Sequence, residues 1–296
     1  MLTLLIGVTL KASMQSEMPA DTISVDEYLA EIERAANAGD TEAMNYLGYL
    51  LLSGEEGVER DAAAGLTWLV KAAQAGDVKA ASNIGWLYLE GDIIEKDESE
   101  GARWIARAAE AGLPVARSIL GDLYKEGRGV ARDSIKADSL YREAFEGGLG
   151  DAGYKLYELH SEEYALMDAS EQTEEGLRYY LGGAPSAGVK LFYMAADRDD
   201  PRATALLGDA YTRAVGVPYD HDLSLKYYLK AALAGHPSAQ FVIGELLDIF
   251  PDALRKFEGD EFPDAIEENP LYWYEKAAEQ GVTDADIATK RLFGWD

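Results

Sequence analysis

Apolar residues recur at the spacing of an α-helix along much of this chain, and the pattern itself repeats. One segment of this kind, residues 61–76, reads DAAAGLTWLVKAAQAG, and its counterparts are residues 97–112, 133–148 and 220–235. Each begins with Asp, has an apolar or aromatic eighth residue, contains a small pair (Ala-Ala or Ala-Phe) and ends with Gly. Asp is favoured as a helix N-cap, and Gly readily takes the left-handed conformation that follows a helix. Each segment is therefore predicted to be one helix with both ends marked.

A second kind of helix is predicted before each of these segments. Ala43, Leu47 and Leu51 follow the spacing i, i+4, i+8, which places them on one apolar stripe. A Gly follows Leu47 directly, and a Gly recurs at this point in most repeats. Because Gly inside a helix costs about 1 kcal/mol relative to Ala, its repetition indicates that the next helix approaches closely there. The small pairs at 72–73 and 108–109 are 36 residues apart, so the chain is predicted to be a series of helical hairpins of that length.

The combined pattern, AxxxLGxxYxxG followed by DxxxAxxWxxxAAxxG, resembles the Sel1-like repeat family, which is related to the tetratricopeptide repeat. The resemblance covers about residues 40–281. It implies an all-α fold, a right-handed α/α superhelical solenoid of helical hairpins, with about six repeats plus terminal half-repeat caps. It also implies a concave face that holds a protein partner, and it implies no reaction. Some family members carry a disulfide in each repeat, and the absence of Cys from this chain excludes that subclass.

The predicted organisation follows the repeats. Residues 1–20 are a candidate signal peptide or leader, and residues 21–39 a capping helix. The repeat array extends over 40–281, and residues 282–296 form a second capping helix. Terminal caps of this kind cover an otherwise exposed apolar face.

Two repeats depart from the common length. The fourth has its first helix predicted over 151–163 and extra residues at about 160–188, including a loop indicated by the Gly and Pro content of GGAPSAG. The sixth has extra residues at about 250–270. Both insertions are predicted between the first and second helices of their repeats, which would place them on one edge of the solenoid and enlarge the binding surface.

The charge balance narrows the classes of partner. Lys and Arg number 27 and Asp and Glu 54, for a net charge of −27. This acidity argues against nucleic acid, which requires clustered Lys and Arg, and it favours a basic protein partner. The alternative is that the carboxylates only solvate the surface.

The first ten residues, MLTLLIGVTL, are apolar, and the polar stretch KASMQSEMPA follows. This order resembles a secretory signal without its positively charged start, so we expect a periplasmic or secreted protein. A short N-terminal helix or tail in a cytoplasmic protein is the alternative. No run approaches the roughly 20 apolar residues needed to span a bilayer, so we expect no membrane-spanning segment.

Motifs for chemistry are absent from the sequence. The three His residues form no HxxxH, HxxH or HExxH pattern, and no Gly-rich phosphate loop occurs. The acidic stretch 258–268 lacks the residue order of a calcium loop. We therefore predict no catalytic residue, no metal site and no cofactor.

The candidate site is the concave groove of the solenoid, which two rows of residues on the predicted first helices are expected to line. One row directly follows the Leu-Gly pair, and the other lies four residues earlier on the same face. Aromatic residues are favoured at interfaces, and a row of carboxylates favours Lys or Arg. The alternative is that Trp86 packs between repeats and the acids are ordinary solvated residues. The candidate partner-binding residues are Asn45, Tyr49, Ser82, Trp86, Asp122, Glu158, Asp209, Phe241 and Glu245.

These features favour a non-enzymatic scaffold for protein–protein interaction that is monomeric and binds a basic protein partner. An immunity protein that neutralises a secreted toxin is an alternative suggested by the resemblance together with the acidity. A hydrolase is a further alternative, although no nucleophile–base pattern supports it. A self-assembling structural element is the last, and the predicted terminal caps argue against it.

Overall fold

The computed structural model describes residues 25–257, 262 and 266–293, and the candidate leader at 1–20 lies outside them. The described residues form fifteen α-helices joined by short turns, which confirms the all-α prediction. In chain order the helices are α1 (Val25–Asn37), α2 (Thr41–Ser53), α3 (Ala62–Gln74), α4 (Val78–Glu90), α5 (Glu98–Glu110), α6 (Pro114–Glu126), α7 (Ser134–Glu146), α8 (Gly150–Leu166), α9 (Ala169–Leu181), α10 (Pro185–Ala196), α11 (Pro201–Arg213), α12 (His221–Leu233), α13 (Pro237–Ile249), α14 (Pro270–Glu279) and α15 (Thr283–Phe293).

The helix ends lie where the Asp and Gly residues predict them. The Asp61 side chain accepts a hydrogen bond from the backbone N–H of Ala64, and Asp97, Asp133 and Asp220 cap their helices in the same way. The four Gly residues that follow these helices take φ values from +89° to +102°. These local signals are sufficient because capping involves only residues within one turn of the helix end.

The recurring Gly residues of the first helices lie where the two helices of a hairpin cross, and we call them packing glycines. A Cβ added to Gly85 would lie 2.7 Å from the Ile105 side chain and 2.9 Å from the carbonyl oxygen of Gly101. A Cβ on Gly48 would meet α3 at 2.9 Å. The predicted close approach is therefore confirmed. Helices that pack against each other in this way form the hairpins α2–α3, α4–α5, α6–α7, α9–α10, α11–α12 and α13–α14.

The helices form two compact units, one ending at Ala152 and the other beginning at Gly153. The first unit contains α1 and three hairpins, and its core includes the fully buried Leu69, Ile84 and Ile105. The second contains the other three hairpins, with Phe192 among its fully buried side chains. Helix α8 begins in the first unit and continues into the second.

The fourth repeat begins at a different helix from the predicted one. The apolar stripe predicts the first helix over 151–163, but α9 pairs with α10 instead. Gly176 lies at this crossing, where an added Cβ would be 2.7 Å from Phe192. Ala152 and Leu156 reproduce the stripe, but the bulky Tyr157 stands where the crossing requires Gly. The extra element is thus α8, which precedes the hairpin, so the two insertions do not share one kind of loop.

The last turn of α8 takes the place of a second helix beside α9. The Gln172 side chain donates from Nε2 to the carbonyl oxygen of Tyr164 at 2.8 Å. Gln172 and Gln240 each lie four residues before the packing glycine of their own helix. Gln240 donates in the same way to the carbonyl oxygen of Ala232 on α12. The hydroxyls of Tyr164 and Tyr179 also lie 2.6 Å apart. In the second unit, α8 therefore covers the side of α9 that other first helices bury against a preceding repeat.

The stretch 182–188, GGAPSAG, is only partly a loop. Helix α10 begins at Pro185, so the second half of the stretch is helical. Pro is well suited to the first position of a helix, because the N–H that it lacks would have no intrahelical partner there. Gly and Pro content alone did not reveal this start.

The described part of the second insertion folds back onto its own hairpin. Leu254 and Ile266 are buried in one cluster with Trp273. The Trp273 indole N–H donates to the carbonyl oxygen of Glu267 at 2.7 Å, and Arg255 pairs with Glu268. This part of the insertion therefore contributes to the core as well as to the surface.

Candidate functional site

The residue that follows each packing glycine is at least partly exposed on the first helices. In the first unit these post-glycine residues are Tyr49, Trp86 and Asp122. In the second unit they are Leu177 and Asp209, both partly exposed, and Glu245, which is exposed. The set differs from the prediction in the fourth repeat, where Leu177 replaces Glu158. Glu158 is exposed on α8 and does not follow a packing glycine.

The row four residues earlier does not line an open surface. Asn45 and Ser82 are only 5% and 2% exposed. Asn45 donates from Nδ2 to Oδ2 of Asp77 at 3.1 Å and accepts from Nδ2 of Asn83 at 3.1 Å. Since Asp77 is the N-cap of α4, this network joins two successive repeats. We correct the expectation that Asn45 and Ser82 face a groove: their position is covered by the next repeat.

Tyr49 belongs to a group of aromatic and acidic side chains in the first hairpin. Its ring stacks on that of Tyr46, with centroids 6.4 Å apart and planes at 23°. Burial raises the pKa of Tyr49 to about 12, and its hydrogen bond to Glu55 adds to this. Tyr49 is therefore a neutral hydrogen-bond donor at physiological pH.

Trp86 combines an exposed face with a shielded donor. The residue is partly exposed, but its Nε1 is closed to solvent and has no hydrogen-bond partner among the described residues. A buried donor without an acceptor costs about 1–3 kcal/mol.

Two of the predicted carboxylates are held by tyrosines of their own hairpins. The Tyr141 hydroxyl donates to Oδ1 of Asp122 at 2.8 Å, and the Tyr228 hydroxyl donates to Oδ1 of Asp209 at 2.5 Å. Sequence reasoning missed these partners, although a signal was present. The eighth residue of the second helix is Tyr in the repeats that have Asp after the glycine, whereas Leu69 stands there in the first repeat.

The remaining predicted residues lie in the last hairpin. Phe241 packs on Tyr274 with ring centroids 5.8 Å apart, so it contributes partly to the core. Glu245 is exposed on α13. That any of the nine predicted residues binds a partner stays a prediction.

The described His residues have local roles. His236 caps α13 by accepting at Nδ1 from the backbone N–H of Ala239, and His160 pairs with Glu163. His221 is the first residue of α12. Within the described ranges, no group of three or more His, Asp or Glu side chains could hold a metal ion. None of the helices there is long and apolar enough to cross a bilayer.

Stacked hairpins with a glycine at each crossing define a helical-repeat protein. The chain belongs to the Sel1 repeat family, whose pattern matches residues 41–77, 78–113, 114–149, 174–200, 201–236 and 271–282. The unmatched residues between 149 and 174 correspond to α8 and the start of α9. Proteins of this family are protein-interaction scaffolds and generally not enzymes.

Several known proteins are similar to this chain. A curated relative, chitin synthase regulatory factor 4 of Schizosaccharomyces pombe, is 30% identical over 123 residues, which span 40% of this chain and 17% of that protein. A protective antigen of uropathogenic Escherichia coli with an SLR fold has 25% identity and a TM-score of 0.44, covering 96% of this chain and 66% of its own. Immunity protein PA5088 of Pseudomonas aeruginosa has 20% identity and a TM-score of 0.32, covering 92% and 86%.

Proposed function

We propose that this protein is a non-enzymatic scaffold that captures a basic protein partner through the post-glycine residues of its first helices. The observation that carries the proposal is the placement of carboxylates at these positions in a chain with a net charge of −27. Negative potential over a binding surface attracts Lys and Arg side chains and accelerates their encounter.

The hydrogen bonds from tyrosine support this role for Asp122 and Asp209. Each carboxylate is held by a hydroxyl of the same hairpin, so less side-chain freedom is lost when a cation binds. The buried contacts of Asn45 connect α2 with α4, the two helices that carry Tyr49 and Trp86. Aromatic side chains presented on such a rigid support are typical anchors of protein interfaces.

The test begins with capture of partners from a lysate of the source organism, at low and at raised salt. The retained protein is then purified and titrated against the full chain and two variants. One variant carries Asp122→Asn and Asp209→Asn. The matched control carries Glu110→Gln and Glu275→Gln, which remove the same charge from exposed positions on second helices.

We expect the partner to be basic and to be released by salt. Its affinity should fall about tenfold or more in the first variant, because each carboxylate interaction with a cation contributes about 1 kcal/mol. The control should change affinity less than twofold at raised salt, where distant charges are screened. An equal loss of affinity in both variants would show that Asp122 and Asp209 contribute only general electrostatic attraction and not direct contacts. A partner without basic character would refute the proposal.

The same acidity suits a second candidate function, neutralisation of a basic secreted toxin. This version differs in what the captured partner does. Expression of the partner alone should then arrest growth of a test bacterium, and co-expression of this chain should restore it. A harmless partner excludes this version and leaves the scaffold proposal intact.

A further inference from the structure

The last residues of the first helices differ between the two units. In the first unit they are polar, namely Ser53, Glu90 and Glu126. In the second unit they are Leu181, Arg213 and Ile249. The side chains of Leu181 and Ile249 are 79% and 69% exposed. A single exposed apolar residue is normal on a protein surface, but here large apolar residues recur at one structural position.

Two exposed aromatic residues lie in the turns that follow these helices. Phe250 is 62% exposed and directly follows α13, where the first-unit helices have Gly residues with φ of +72° to +77°. Tyr219 is 63% exposed and precedes the N-cap of α12. The equivalent residues of the first unit are Arg60, Lys96 and Arg132. Residues that break the local rule of their own repeat without filling the core are expected at functional sites.

The turns that carry these residues contact one another in succession. A Cβ on Gly216, in the turn between α11 and α12, would lie 2.7 Å from the carbonyl oxygen of Pro185, which directly follows the turn after α9. The turn after α13 reaches α12 through an ion pair between Lys256 and Asp222. One edge of the second unit, which we call the apolar edge, is therefore formed by Leu181, Arg213, Tyr219, Ile249 and Phe250.

We propose that the apolar edge binds a segment of a protein partner in which an Asp or Glu lies between two apolar residues. Contiguous exposed apolar surface on a protein is typical of interaction sites. The inference goes beyond the proposed function, because the edge lies about one helical turn past the post-glycine residues and does not require a basic partner.

Arg213 supplies the charge complementarity of the edge. It ends α11, between the ends of α9 and α13, and it is exposed without an ion pair to any residue that the structure describes. Three acids of the surrounding turns already pair with cations, namely Asp222 with Lys256, Asp248 with Arg291 and Asp252 with Arg255. The Arg213 guanidinium is therefore available to a carboxylate of the partner, which it can bind through two parallel hydrogen bonds.

The spacing of the repeats sets the length of the bound segment. Packed helices lie about 8–10 Å apart, so the ends of α9 and α13, two helix spacings apart, are separated by about 20 Å. An extended chain rises about 3.3 Å per residue, so about six residues cover this distance. The matching segment is thus apolar-x-x-acidic-x-x-apolar, with the acid opposite Arg213.

The test uses the full chain with labelled Ile and Leu methyl groups and three peptides that differ at one residue. The first peptide has the pattern Leu-x-x-Asp-x-x-Leu with Gly and Ser at x, and Asn or Lys replaces Asp in the other two. Binding is followed by NMR through the methyl signals of Leu181 and Ile249, which are assigned with Leu181→Val and Ile249→Val.

Two variants test the edge, each with a matched control from the first unit. Arg213→Met removes the cation and keeps an apolar stem, and Arg132→Met makes the same change of charge at an exposed turn residue. Phe250→Ser removes an exposed ring, and Ile135→Ser removes an apolar side chain that is also exposed. Unchanged urea midpoints would show that a loss of binding does not reflect unfolding.

We expect the Asp peptide to shift the signals of Leu181 and Ile249, and the Lys peptide to leave them in place. Arg213→Met should weaken binding of the Asp peptide about threefold to fivefold, and Phe250→Ser about fivefold. The Asp and Asn peptides should bind equally to Arg213→Met, because the carboxylate has lost its partner. Each control should change the affinity less than about twofold.

Unshifted methyl signals with the Asp peptide would overturn the proposal, as would equal losses in the test variants and their controls. Two other occupants are outcomes of the same experiment. Binding to phosphatidylcholine vesicles that Phe250→Ser abolishes would assign the edge to lipid, and self-association that Phe250→Ser abolishes would assign it to a second copy of this chain. Either result, without binding of the Asp peptide, would replace the proposed partner segment.

Discussion

The hydroxyl of Tyr141 donates a hydrogen bond to the carboxylate of Asp122 across the α6–α7 hairpin, at 2.8 Å. The same tyrosine ring packs on Gly121, where an added Cβ would lie 2.6 Å away. One side chain therefore fills the helix crossing and holds the acid that follows the glycine. Tyr228 and Asp209 repeat this arrangement in the second unit. A candidate binding residue is thus also part of the hairpin's own structure.

Tyr141→Phe is expected to lower the free energy of unfolding by about 1 kcal/mol, because it removes the hydrogen bond and keeps the ring. Urea unfolding followed by circular dichroism measures the change. Tyr219→Phe is the control, since Tyr219 is 63% exposed, and it should change stability by less than about 0.5 kcal/mol. Equal effects of the two variants would show that the bond to Asp122 contributes nothing to stability.

Gly176→Ala tests the position of the fourth repeat. Ala is a better helix former than Gly, but its Cβ would lie 2.7 Å from Phe192, so we expect a net loss of about 1–3 kcal/mol. Ser170→Ala, at an exposed position of the same helix, reports the helix-propensity effect alone and should not destabilise. A stability gain in Gly176→Ala, measured by urea unfolding, would contradict the close crossing of α9 and α10.

Arg198→Met is expected to loosen the end of α8. The guanidinium donates to the carbonyl oxygens of Met167 and Ala165, the latter at 2.7 Å, and carbonyls at a helix end otherwise depend on water. Hydrogen–deuterium exchange should accelerate at residues 163–167. Arg103→Met, which removes an exposed guanidinium on α5, should leave exchange at 163–167 unchanged. Unchanged exchange in Arg198→Met would show that α8 ends stably without this cap.

His236→Asn tests a pH-sensitive helix cap. Burial lowers the pKa of His236, with an opposing effect from Asp200 and a further lowering by Arg202. The ring caps α13 in its neutral form. Because the folded pKa lies below the unfolded value of about 6.5, this contribution to stability is complete above pH 6.5 and declines as the pH falls through that value and toward the folded pKa.

Asn also caps helices but does not titrate, so the variant should lose less stability than the natural chain between about pH 7 and pH 5. The measurement is the urea midpoint across this range. His221→Asn is the control for replacing one exposed histidine by Asn, and a change of pH slope confined to His236→Asn supports the cap. The same slope in all three proteins would contradict the proposed cap.

Much of the candidate site could be located from the sequence, but the surroundings of its residues could not. The spacing from the packing glycine correctly placed Tyr49, Trp86, Asp122, Asp209 and Glu245 on first helices. It could not show that the preceding row at Asn45 and Ser82 is covered by the next repeat. Nor did it reveal the tyrosines that hold Asp122 and Asp209, because those contacts join residues 19 positions apart.

The sequence by itself determined the class of fold and most helix limits. Asp at the N-caps, Gly after the helices and apolar residues at helical spacing act within one or two turns, so their meaning can be deduced without the rest of the chain. Tertiary structure alone decided that α9, and not the helix beginning at Gly150, opens the fourth repeat. Ala152 and Leu156 carry the local signals of a first helix, but the partner of a helix depends on which surfaces can approach closely, and only Gly176 permits that approach.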